Sequence, residues 1–130
     1  MKTYLALVHK ETGSAYGVSF PGLSGCFAAA DEFGDILRKA VEALELWFED
    51  AAPVTPRGPE AITAEVAKEL AAGAFLIAVP LVQPSSRQKR VNISLDAGTL
   101  GAIDSAAEEL GLTRSGFLTM AALNEIKGGH

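Results

Sequence analysis

The sequence has few of the residues that build disulfides and metal centres. It contains one cysteine, Cys26, and two histidines, His9 and His130. A single cysteine cannot form an internal disulfide, and two distant histidines do not have the spacing of a metal-ligand cluster. We therefore expect no bound metal and no cofactor.

Long apolar runs are also absent. No stretch of 18 apolar residues occurs, and the N-terminal residues MKTYLALVHKETG lack the long apolar core and cleavage site of a signal peptide. With 48% hydrophobic and 21% charged residues, the composition is globular, and the length fits one domain or two very small ones. We expect a cytoplasmic protein with no membrane partner.

Positive charge is scarce except at one place. Residues 1–86 hold six Lys and Arg against eleven Asp and Glu, whereas residues 87–130 hold five of each. In the second part Arg87, Lys89 and Arg90 precede any acidic residue. Attraction to phosphate scales with clustered cations, so this short arm could bind nucleic acid when it is doubled by dimerisation. The acidic part suits a basic partner, although an acidic surface is most often a solubility feature.

The first half of the chain predicts a small sheet with a helix across it. Apolar and alternating segments at 2–10, 16–20 and 26–30, separated by short turns, predict an antiparallel meander. Asp31 is a candidate N-cap for a helix that ends near Ala52. Its apolar stripe, expected to lie on the sheet, consists of Phe33, Leu37, Ala40, Leu44 and Trp47.

The connection and the fourth strand follow this helix. Thr63 is a candidate cap of a short helix over 64–72, and residues 75–82 predict a strand covered on both faces. Pro80 indicates that this strand ends, or bends, near a sheet edge. For the order βββαβ, a right-handed crossover predicts a last strand parallel to a meander strand.

Residues 90–95 alternate between two kinds of side chain. Val91, Ile93 and Leu95 form an apolar face; the polar face consists of Arg90, Asn92 and Ser94. A strand this short is unstable alone, and no neighbouring segment pairs with it through a hairpin turn. The simplest partner is the same strand of a second copy. Arg, Asn and Ser are side chains that hydrogen-bond base edges.

Two short helices follow the strand. Asp96 is a candidate N-cap of the first, Gly111 ends it, and Thr113 is a candidate cap of the second. The N-terminus of the second helix, with Arg114 and Ser115, could hold a phosphate through free backbone N–H groups and the helix dipole.

The segment from Arg90 to about Ile126 resembles a ribbon-helix-helix DNA-binding domain. The resemblance implies that two chains pair their strands into a ribbon that enters the major groove. It assigns the dimer core to Val91, Ile93 and Leu95, base reading to Arg90, Asn92 and Ser94, and phosphate binding to Lys89, Thr113, Arg114 and Ser115. The alternative is an ordinary strand and helical hairpin within a larger core.

The first part resembles the HicB antitoxin of HicA–HicB toxin–antitoxin systems. The resemblance rests on residues 16–27 (YGVSFPGLSGCF), on Ala30 and Asp31, and on residues 43–47 (ALELW). One departure is Gly22, where the family commonly has Asp. The implied architecture is α+β: a βββαβ partial RNase H-like domain at 1–82, a linker at 83–89 and the ribbon-helix-helix module at 90–130, which dimerises through its strand.

The implied function is a type II antitoxin that is not an enzyme. Its expected partners are a HicA-type mRNA-cleaving toxin, palindromic operator DNA and a second copy of itself, in a homodimer or a tetramer. Loops near 11–15 and 21–25 are candidate toxin contacts. The alternatives are a ligand-responsive repressor without a toxin partner and a nuclease. Nuclease chemistry of the RNase H kind needs converging carboxylates, and residues 2–10 and 16–30 contain none.

Overall fold

The computed structural model describes residues 1–10, 13–83 and 88–128, in two compact units that divide after Gln83. The first unit holds four strands, β1 (Lys2–Lys10), β2 (Tyr16–Ser19), β3 (Phe27–Ala30) and β4 (Phe75–Leu81), and three helices, α1 (Ile36–Asp50), α2 (Pro59–Glu65) and α3 (Ala67–Ala71). The second unit holds α4 (Ala97–Glu109) and α5 (Arg114–Ile126). The mixed α+β composition and the four strands predicted in the first unit are confirmed.

The strands form one sheet in the order β3-β2-β1-β4, and every neighbouring pair is antiparallel. Side chains alternate across β1, so Tyr4, Ala6 and Val8 face a core covered by α1, where Leu44 is fully buried. Leu7 points to the other face and packs against Ile62 and Val66 around α2. The sheet is therefore covered on both faces, as the apolar sequence of β4 predicted.

β4 was expected to run parallel to a meander strand; it runs parallel to β2, which is not its neighbour, and antiparallel to β1, the strand with which it pairs. β4 pairs antiparallel with β1, with Tyr4 opposite Val79 and Val8 opposite Phe75. After a single helix across one face, the chain would enter the sheet again parallel to β3. Residues 51–74 instead cross the sheet a second time and place α2 on the opposite face. This pass reverses the direction in which β4 enters the sheet. The prediction of an edge position from Pro80 is confirmed, because β4 is the last strand in the order.

The start of α1 also differs from the prediction. A 3₁₀ turn, Phe33–Asp35, precedes α1, and the N-cap position of α1 is held by Asp35, without a side-chain capping hydrogen bond, and not by Asp31. A 3₁₀ turn has about three residues per turn, which breaks the 3.6-residue register on which the predicted stripe relied. Phe33 is consequently 66% exposed, while Ile36 occupies the core.

The connection between α1 and β4 begins its helix earlier than expected. Gly58 is the N-cap of α2 and Pro59 its first residue, a position that suits the fixed φ of proline. Thr63 lies inside α2 and not at its start, so its predicted capping role is wrong. The Tyr4 hydroxyl donates a hydrogen bond to the carbonyl oxygen of Val54, which fastens the preceding loop to the core.

Candidate nucleic-acid interface

The start of α4 is fixed by the residue predicted to cap it. Asp96 has an extended backbone, and its Oδ1 accepts a hydrogen bond from the Thr99 backbone N–H over 2.8 Å. Its Oδ2 accepts another from the Thr99 hydroxyl over 2.6 Å. These two bonds, led by the hydroxyl, lower the pKa of Asp96. The carboxylate therefore stays ionised at neutral pH and defines where residues 88–95 join the helix.

The turn between α4 and α5 has the geometry of a Schellman motif. The Gly111 N–H donates to Glu108 O over 3.1 Å, and the Leu112 N–H donates to Ala107 O over 2.8 Å. Gly111 has a φ of 69°, a left-handed conformation that favours glycine. This stop, predicted from the sequence, sets the direction in which the chain enters α5.

The N-terminus of α5 is ordered by Thr113, as predicted. Thr113 Oγ1 accepts a hydrogen bond from the Gly116 N–H over 3.0 Å. The cap uses the third N–H of the helix, and the N–H groups of Arg114 and Ser115 point out of the first turn toward any anion that approaches. Two backbone donors, those of Arg114 and Ser115, therefore lie outside the Thr113 cap at the N-terminus of α5.

The side chain of Arg114 is engaged within the second unit. Its Nε and Nη2 donate to Oδ1 and Oδ2 of Asp104, both over 2.8 Å, in a bidentate ion pair between α5 and α4. The hydrogen bond lowers the pKa of Asp104 and raises that of Arg114. Sequence reasoning missed Asp104, because the two residues are ten positions apart and meet only through the turn at Gly111.

Most of the predicted DNA contacts surround one open cleft of about 870 Å³ in the second unit. Its polar lining includes Lys89, Asn92, Ser94, Arg114 and Ser115. Arg90 lines a smaller neighbouring cavity together with Lys89 and Ser115. Thr113 lines neither and acts as the helix cap. The structure thus brings the polar residues of 89–94 beside the N-terminus of α5.

The predicted ribbon residues have no regular secondary structure in the single chain, where residues 88–95 form no strand pairing with the other described residues. Val91 is 77% exposed and Ile93 63% exposed, and Leu95 is also exposed. Within the described residues 88–128, Ala107 alone is buried. Pairing of this segment into a strand stays a prediction, since it requires a second chain.

The first unit presents the other candidate surface, the loop between β2 and β3. The loop is held by a Leu23 N–H bond to Phe20 O and by the Trp47 indole N–H, which donates to Ser24 O over 3.0 Å. Cys26 closes it inside the core, and burial raises the pKa of its thiol to about 11. Of the other candidate loop, residues 11 and 12 lie outside the described residues.

In the part of the chain that the structure describes, neither unit contains a cluster of metal ligands, and neither contains a helix that could span a membrane. No group of three or more His, Cys, Asp and Glu side chains stands close enough to hold a metal ion there. The helices in the same ranges are too short or too polar to cross a bilayer. Asp31, Asp35 and Glu42 lie at the surface of the first unit, with Asp35 and Glu42 paired to Arg38.

These features define a two-part α+β protein, with an acidic sheet unit followed by a small helical unit that carries a polar cleft. Comparison with known proteins gives the family. The family model described as HicB_like antitoxin of bacterial toxin-antitoxin system matches residues 4–122. The chain belongs to this family of HicB-like antitoxins.

Solved structures agree with this assignment. The chain is 30% identical to the antitoxin HicB of Burkholderia pseudomallei over the whole of both chains, with a TM-score of 0.53. It is 27% identical to an antitoxin HicB3 over 95% of this chain and 97% of that one, with a TM-score of 0.51. A chain of a HicA3–HicB3 toxin–antitoxin complex shares the fold over 62% of this chain and 99% of its own, at 24% identity and a TM-score of 0.52. A comparison with curated proteins gave no match.

Proposed function

We propose that this chain neutralises a HicA-type mRNA-cleaving toxin by direct binding and represses its own operon by binding a palindromic operator. The first unit, a partial RNase H-like domain, would cover the toxin without any chemistry of its own. The second would act as a ribbon-helix-helix dimer. The observation that carries the proposal is the family match across both units, residues 4–122.

The surface of the first unit supports toxin binding. Residues 1–86 carry a net negative charge, which favours association with a basic, RNA-binding protein. Neutralisation requires only that an interface of ordinary size cover the toxin's RNA-binding surface. The loop at 21–25 is a suitable contact, because its hydrogen bonds to the rest of the first unit fix its conformation before binding.

The exposed apolar residues of the second unit support dimerisation. Units of about 40 residues rarely stay folded alone without a metal, a disulfide or a partner. Here Val91, Ile93 and Leu95 are exposed and Ala107 alone is buried among the residues described at 88–128. Pairing two copies of residues 90–95 would cover these side chains and satisfy the backbone groups that the single chain leaves unpaired.

The polar face of the same segment supports operator binding. In a paired ribbon Arg90, Asn92 and Ser94 would all point away from the dimer core. Their donors and acceptors suit base edges in the major groove. Lys89, Thr113, Arg114 and Ser115 would position the ribbon through phosphate contacts, which fix register but carry no sequence information.

The toxin half of the proposal is tested by co-expression with a small basic HicA-type protein, sought in the gene next to the one for this chain. We expect that expression of the neighbour alone stops growth, that co-expression restores it, and that the two proteins co-purify. An unrelated acidic protein of similar size serves as the control for charge alone. Absence of both rescue and co-purification would overturn the antitoxin role.

The operator half is tested with the purified full chain and labelled DNA from upstream of its gene. Binding should be saturable, should protect a two-fold symmetric site, and should exceed binding to shuffled DNA of the same composition. Equal affinity for both DNAs would contradict repression.

A further inference from the structure

The ion pair between Asp104 and Arg114 occupies the donors that a phosphate would use. Arg114 presents Nε and Nη2 as a fork, and both are bound to the Asp104 carboxylate at 2.8 Å. A guanidinium fork matches a carboxylate and a phosphate in the same planar, bidentate way. Arg114 therefore cannot hold both groups through this fork at once, and Asp104 competes directly with DNA.

The competition for Arg114 changes the positive charge that DNA would meet at the cleft. In the described residues 88–128 the cations near the cleft are Lys89, Arg90 and Arg114. Arg114 is the one among them that pairs with an acid in the structure. Arg114 lines the cleft, so its pairing with Asp104 cancels a formal charge of +1 beside the N-terminus of α5.

We propose that Asp104 withholds Arg114 from DNA and so limits both the affinity and the salt dependence of operator binding. The inference rests on the proposed operator-binding function. With Arg114 held back, the phosphate at the tip of α5 is bound by the backbone N–H groups of Arg114 and Ser115, whose dipoles release few counterions. Asp104 is then a positioning residue that acts through Arg114.

The exposure of the pair sets the size of the effect. The side chains of Arg114 and Asp104 are 55% and 45% exposed, and ion pairs this open to water are weak. A phosphate can therefore displace the carboxylate part of the time, and removal of the carboxylate should shift Arg114 fully to DNA. We expect a moderate gain in affinity with a clear change in salt dependence.

Asp104→Asn is the direct test, because it keeps the shape of the side chain and removes its charge. Each phosphate newly neutralised steepens the slope of log K against log salt by about 0.9. Two protomers should steepen it by up to about 1.8, which is roughly a tenfold larger loss of operator affinity between 50 and 200 mM salt. Asp104→Glu, which keeps the carboxylate, should restore a slope near that of the wild type.

The matched control is Glu108→Gln, which removes the same charge one helical turn further along the same face of α4. It should raise affinity only slightly and uniformly, through weaker general repulsion. The double variant Asp104→Asn with Arg114→Gln completes the cycle. In the Arg114→Gln background, Asp104→Asn should change the slope no more than Glu108→Gln does.

The outcomes separate this inference from the proposed function. If the wild type fails to bind operator even at 50 mM salt, the operator-binding function fails and the inference falls with it. If the wild type binds but Asp104→Asn leaves the slope unchanged, the inference alone is overturned. A loss of helical circular dichroism and of affinity in both Asp104→Asn and Arg114→Gln, with recovery in Arg114→Lys, would instead assign the pair a purely structural role and also overturn it.

Discussion

The indole N–H of Trp47 donates a hydrogen bond to the backbone carbonyl of Ser24 over 3.0 Å. The bond joins the last turns of α1 to the loop between β2 and β3. The Trp47 ring also packs edge-on against Phe48, whose side chain is buried, with ring centroids 4.9 Å apart. Trp47 thus anchors to the core a loop that we propose contacts the toxin.

Trp47→Phe should loosen this loop while it preserves most of the ring contact. Loss of one hydrogen bond to a carbonyl costs about 1 kcal/mol of unfolding free energy, measured by urea denaturation of the full chain. Toxin affinity should also fall, because a mobile loop must be ordered on binding. The fall should be larger than the small increase in the unfolded fraction of the protein would cause. Leu46→Ala, at a neighbouring residue that is 66% exposed, is the control. Unchanged toxin affinity in Trp47→Phe would remove the loop from the interface.

Features that depend on neighbouring residues could be predicted from the sequence. The caps at Asp96 and Thr113 and the stop at Gly111 were all identified in advance, since each involves residues within a few positions of one another. The edge position of β4 followed from a single property of Pro80, its missing N–H.

Features that depend on distant contacts could not be predicted in this way. The direction of β4 is set by the second pass of residues 51–74 across the sheet, whose length alone does not reveal which face it covers. The exposure of Phe33 follows from a 3₁₀ turn that has the composition of an α-helix start. The pairing of Arg114 with Asp104 needs the angle between two helices, which residue spacing does not specify.

Thr113→Ala should destabilise the second unit by removing the cap of α5. The lost bond from Gly116 N–H to the Thr113 hydroxyl is of a kind that contributes about 1 kcal/mol. Thermal unfolding followed by circular dichroism should show the decrease, with operator affinity falling in parallel. Thr113→Ser retains the hydroxyl and should behave as the wild type. A fully stable Thr113→Ala would mean that the cap contributes nothing in the dimer.

Asn92→Ala should change which operator sequences are bound more than how tightly DNA is bound overall. An amide that reads adenine contributes roughly 1–3 kcal/mol of discrimination. Affinities for the operator and for a variant at the contacted base should therefore converge. Arg114→Ala is the comparison, because the phosphate contact that Arg114 makes part of the time carries no sequence information, and its loss should weaken binding evenly across sequences. Equal losses on operator and random DNA for Asn92→Ala would show that the segment does not read bases.

The Asp104 carboxylate should titrate below its ordinary pKa of 3.8, because the hydrogen bond from Arg114 favours the charged form. Since the folded-state pKa is depressed, the pair's contribution to stability is complete above the ordinary value and is lost as the pH falls through the lowered one. Carboxyl chemical shifts followed by NMR over acidic pH should show this, and Arg114→Gln should return the pKa toward 3.8. A normal Asp104 pKa in the wild type would mean that the pair does not persist in solution.

Ile93→Lys should separate the proposed dimer. In the single chain Ile93 is 63% exposed between Val91 and Leu95, and in a paired ribbon a lysine there would bury an unpaired charge against its own copy. Sedimentation velocity should then show a monomer, and helical circular dichroism of the second unit should fall because about 40 residues lose the partner that covers their apolar side chains. Leu46→Lys makes the same kind of change on the first unit and should leave the assembly intact. If Ile93→Lys stays dimeric, the chains associate through another surface, and Arg90, Asn92 and Ser94 lose the two-fold arrangement on which palindrome reading depends.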